Sequence, residues 1–99
     1  MVHDMTYIEE VAHRIRQHVP PEAVPDGDVD ELFLIYASLA LAKGSQVDRR
    51  DVHNAWAAWM ASREPDHDSI RPYEELSPST KEEDDPFVTA IRAAVKETS

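Results

Sequence analysis

The 99-residue sequence contains no cysteine. That excludes disulfides, thiolate nucleophiles and cysteine-based zinc sites. Its two glycines, Gly27 and Gly44, stand too far apart to build a glycine-rich phosphate loop. No apolar run approaches the roughly 20 residues that span a bilayer, and the opening residues lack the basic-then-apolar order of a secretory leader. A soluble cytoplasmic protein is expected. Basic residues are scarce, ten Lys and Arg against twenty Asp and Glu, for a formal net charge of −10. Because phosphate contacts need clustered Lys and Arg, neither nucleic acid nor an anionic membrane is expected as a partner. Such a charge keeps a protein in solution, and it can also recruit a basic protein.

Catalytic and metal-binding patterns are also missing. No serine lies in a Gly-x-Ser-x-Gly setting. Glu10-Val-Ala-His13 is a single Glu-x-x-His step, whereas a di-iron bundle needs two plus further glutamates; a surface ion pair is expected there. Asp26, Asp28 and Asp30 alternate like the start of a calcium loop. Glu31 then stands where glycine is required and Ala37 where glutamate is required, so turn and cap roles are expected instead. Asp66-His67-Asp68 would need distant residues to complete a metal site. No metal, no cofactor and no enzymatic activity are expected.

What the chain does contain is helical punctuation. Thr6 with Glu9 forms a capping box ahead of Ile8, Val11, Ala12, Ile15 and Val19, and Pro20-Pro21 ends that helix. Residues 20–27 form a stiff loop. Asp28 is expected to start a second, central helix with Leu32, Ile35, Tyr36 and Leu39 buried and Phe33 and Ala40 widening the stripe. Lys43-Gly44 closes it with a left-handed glycine cap. Asp48 caps a third helix, with Val47 as its staple and Val52, Ala55, Trp56, Trp59 and Met60 on one face, ending at Pro65. A turn follows at 73–76. Ser77-Pro78 and Asp85-Pro86 each pair a cap with proline at the first helical position, the latter opening a helix with Phe87, Val88, Ile91, Ala94 and Val95 inward. The predicted fold is all-α, one compact domain of four to five short helices over 1–99, with residues 1–5 and 97–99 flexible.

The segment 52–76 concentrates the recognition chemistry, with both tryptophans and two of the five histidines. An aromatic shelf can stack a flat ring, Arg71 or Arg63 can fork onto a phosphate, and His53 and His67 can hydrogen-bond a base or sugar edge. The same residues also fit a structural role. In that role Trp56 and Tyr73 anchor the core, His53 caps a carbonyl and Arg71 packs over a ring. Helix-spaced His53 and Trp56, a histidine-bearing loop, the turn Pro72-Tyr73-x-x-Leu76 and a last helix near an acidic residue together make residues 52–95 resemble the repeat domain of ryanodine receptors. The whole chain also resembles short actinobacterial and actinophage proteins, and seven arginines against three lysines fit a GC-rich genome. Members of the repeat family carry a Gly-Trp segment absent here, and a proline where this chain has Asp68. The resemblance implies a binding or regulatory module for adenine-type nucleotides.

Two functions follow as expectations. One is a non-enzymatic, small acidic module binding a nucleotide-like small molecule through His53, Trp56, Trp59, His67, Arg71 and Tyr73. The alternative is a protein–protein adaptor or inhibitor, phage-encoded, that sets Glu82, Glu83 and Asp84 against a basic host protein.

Overall fold

A computed structural model describes residues 6–98, with side chains as far as Glu97. The fold is all-α. Helices α1 (Tyr7–His18), α2 (Asp30–Lys43), α3 (Arg49–Ala61), the short α4 (Pro78–Glu82) and α5 (Asp85–Thr98) are joined by 3-10 turns at Pro21–Ala23, Gly44–Gln46 and Tyr73–Glu75. No described helix is long and apolar enough to cross a membrane.

Local chemistry starts most of these helices. The Thr6 hydroxyl accepts from the Glu9 N–H at 3.2 Å while the Thr6 N–H donates to the Glu9 carboxylate at 2.9 Å. Asp48 and Asp51 repeat the arrangement at α3, at 3.0 and 3.1 Å, each satisfying backbone donors that a helix start leaves open. Partial burial raises Asp51, but the Lys43 ammonium and the Asp48 N–H outweigh it and hold its carboxyl below the usual carboxylate range. Ser77 caps α4 by accepting from the Thr80 N–H, with Pro78 next. We expect Asp48→Ala to cost about 1 kcal/mol in urea denaturation. An unchanged midpoint would mean that packing of Val47 and the Arg92 bonds to its carbonyl (2.8 and 3.1 Å) set this helix start alone.

Several local expectations need correction. The second helix begins at Asp30, because the Asp28 carboxylate turns the chain beforehand by accepting from the Asp30 N–H at 3.0 Å. Its buried face is Leu32, Phe33, Tyr36, Ala37 and Ala40, while Ile35 and Leu39 are half-buried at its margins. A helix apolar on nearly every side leaves its inward face to its neighbours. Gly44 ends it at φ 58° and ψ −134°, an extended left-hand conformation reserved for glycine. The third helix stops at Ala61, ahead of Pro65. Asp85 is the first residue of α5 rather than its cap, since its carboxylate is taken by the Arg49 fork at 2.5 and 2.7 Å. His13 meets Gln17 at 3.2 Å in place of Glu10. Of the termini expected to be flexible, residues 1–5 and 99 lie outside the described residues. Glu97 and Thr98 belong to α5, where Glu97 meets His18 at 2.9 Å and Arg14 at 3.8 Å.

The core lies where α2 and α5 meet α1 and α3. Ile15, Leu32, Val47, Val52 and Ile91 are fully enclosed there. Tyr36 is the largest of these buried side chains, with Phe33 edge-on at 5.7 Å and Phe87 tilted at 5.4 Å.

Candidate functional site

Helix α3 presents His53 and Trp56 one turn apart, so both rings emerge on the same side. His53 is 3 % exposed and its Nε2–H donates to the Arg71 carbonyl at 2.7 Å. This bond ties residues 62–72 back onto the helix. The tie brings His67 edge-on to Trp56 at 5.1 Å, while Trp56 stacks on His53 at 5.9 Å. The Ser69 N–H donates to His67 Nδ1 at 3.1 Å and fixes that ring in turn. Tyr73 completes the row, 6.3 Å from His53.

Opposite the rings stand the loop after α1 and the α4–α5 junction. Together they enclose a cleft of about 470 Å³ whose walls include Glu22, Tyr36, His53, Trp56, His67, Glu83, Asp84 and Phe87. That volume is in the range of small-ligand sites. Among the described residues, no Lys or Arg lines it. Burial pushes the Asp84 carboxyl up to about 6, with the Glu83 and Asp85 charges adding to the effect and His53 and Arg49 opposing it. One of its oxygens, Oδ2, is buried without a hydrogen-bond partner. Burial raises the Tyr36 hydroxyl far above the usual phenol range, and the Asp84 charge adds to it.

The candidate residues therefore divide. His53, Trp56 and His67 meet at the cleft, and so do Glu83 and Asp84, which the sequence assigns to a separate partner surface; Glu82 is exposed outside it. Trp59 is 3 % exposed and belongs to the core, with Arg63 over its ring at 4.5 Å. Tyr73 lies just outside the lining, with Lys81 at 4.9 Å and Arg50 at 5.5 Å over its ring. Arg50 also pairs with Glu74. Arg71 contributes its carbonyl to His53, while its guanidinium donates to the Asp68 carbonyl at 2.8 Å. Neither it nor Arg63 lines the cleft that a phosphate would enter. Glu22 and Tyr36 join the lining with no local signal in the sequence, since only the tertiary fold brings a loop glutamate and a core tyrosine to these rings.

A family model for a domain of unknown function (DUF7701) matches residues 6–96, and the chain belongs to that family. No curated protein and no solved structure gives a significant match.

Proposed function

We propose that this DUF7701 domain is a non-enzymatic binding module whose ligand site is the cleft between α3, its following loop and the α4–α5 junction. The observation that carries this is the convergence of His53, Trp56 and His67 on a cavity of about 470 Å³. The half-buried indole of Trp56 and the exposed imidazole of His67 beside the cavity favour a flat group, which gains stacking and apolar burial there. Binding is favoured over catalysis because the buried imidazole commits Nε2 to a carbonyl that holds the loop, leaving it a structural task. The ring portion of a nucleotide-like ligand suits this site, whereas Glu22, Glu83 and Asp84 oppose its phosphate. The resemblance of residues 52–95 to the ryanodine-receptor repeat points to the same segment. The adaptor alternative draws on the same place, since Glu83 and Asp84 would meet a partner's basic side chain at this cleft.

The test is thermal unfolding of the intact domain against nucleosides, nucleotides, aromatic amines and guanidino compounds. A ligand at 100 times its Kd adds about 2.7 kcal/mol, which moves the midpoint of a domain this size by roughly 10 °C or more. Trp56→Leu is expected to abolish the shift. Identical midpoints across every compound would refute the binding module.

A further inference from the structure

The geometry points to a planar organic cation, a guanidinium-type group, as the occupant of this cleft. The inference rests on the binding reading above and specifies its chemistry. Three features of the cleft converge on it.

The first is an unmet acceptor. Asp84 Oδ2 is a buried carboxylate oxygen with no donor, and leaving such an acceptor unpaired is costly. Rotation about χ2, a soft torsion, exchanges its two oxygens, so the carboxylate can offer either one to an entering donor. The second is the wall of rings. Trp56 is flanked by two imidazoles, and an indole face is the strongest cation-binding surface among the side chains. This chain already uses that contact internally, with Arg16 over Phe33 at 5.5 Å, Arg63 over Trp59 and Lys81 over Tyr73. The third is charge. Glu22 and Glu83 share the lining with Asp84, and beyond the imidazoles of His53 and His67 no Lys or Arg of the described residues lines it.

A guanidinium meets all three demands at once. Its fork matches a carboxylate and its flat face stacks on an aromatic ring, whereas a tetrahedral ammonium meets both only as a point charge, with neither the fork nor the flat stack. The group has two possible sources, a free guanidino compound or an arginine side chain of a partner peptide.

NMR titration of the full chain up to millimolar ligand separates the outcomes. The probes are N-acetyl-arginine methylamide, its neutral citrulline counterpart, adenosine, and a short peptide containing one arginine. The arginine derivative is expected to shift the amides of His53, Trp56 and Asp84 and to bind at least tenfold more tightly than citrulline. Asp84→Asn is expected to erase that preference while the spectrum stays folded. Tighter binding of the peptide than of the single residue identifies a protein partner as the source; the reverse identifies a free small molecule. If citrulline matches arginine, or adenosine alone binds at these amides, the cation inference is overturned while the binding module stands. If none of the four probes moves these amides, the cation inference is overturned, and the thermal panel decides the binding module.

Discussion

Replacing Tyr36 with alanine is expected to cost about 3–5 kcal/mol, the range for truncating a buried large aromatic side chain. Tyr36 is 1 % exposed and holds Phe33 and Phe87 around it, so its removal leaves a hole between α2 and α5 that rigid helices cannot close. Domains of this size have a total stability of only about 5–15 kcal/mol. The midpoint should therefore fall by at least roughly 12 °C, read by circular dichroism melting and urea denaturation. Tyr36→Phe is the companion variant, because it keeps the ring and removes only the hydroxyl that feels the Asp84 charge. Its cost should stay below about 1.5 kcal/mol. A Tyr36→Ala protein within 1 kcal/mol of the parent, by the same scale, would contradict the central position of this ring. The residue also lines the cleft, so the alanine variant would enlarge the proposed site as well as weaken the fold.

The second large effect has the opposite sign. Asp84→Asn should stabilise the domain at pH 7.5 by about 1–2 kcal/mol. Burial raises the folded carboxyl from 3.8 to about 6. Between those values the folded state holds its proton while the unfolded state has released it, so this group's contribution to stability falls as pH rises through the window. Above the folded value the penalty is complete; below about pH 3.8 it is absent. The shift sets a ceiling of roughly 3 kcal/mol, and partial exposure of the carboxyl reduces it. Parent and variant should thus converge near pH 4 and separate by pH 7, measured as paired urea curves. A variant no more stable than the parent at pH 7.5, with a gap independent of pH, would remove the electrostatic account of Asp84. Asp85 behaves oppositely. The Arg49 fork holds it below the usual carboxylate range, so its contribution is lost as pH falls.

These two carboxylates are adjacent in sequence and opposite in character. One is fully used by a structural ion pair, and the other faces a cavity at a cost to the fold. Retaining a charge where a neutral side chain would be more stable is the trade that binding sites commonly make. That cost is why Asp84, rather than the exposed glutamates beside it, anchors the proposed contact.

The amino-acid sequence by itself determined the helical class and most helix starts. Thr6 with Glu9, Asp48 with Asp51, and Ser77 with Pro78 act across at most three residues, so their bonds are legible from spacing alone. The inward face of α1 was legible for a related reason: polar residues surround Val11, Ala12 and Ile15 and leave one orientation. The second helix offered no such contrast, and contacts with its neighbours selected Phe33 and Ala37 over Ile35 and Leu39.

Tertiary structure alone decided the cleft. Trp56 and Trp59 are three residues apart with the same chemistry, and only the tertiary packing around α3 separates a cleft wall from a core anchor. His53 holds the loop across 18 residues, Arg49 takes Asp85 across 36, and Glu97 reaches His18 across 79. Caps and periodicity act within a turn or two, whereas a cavity is made by groups distant in the chain. Its position and charge follow from the packing of whole helices.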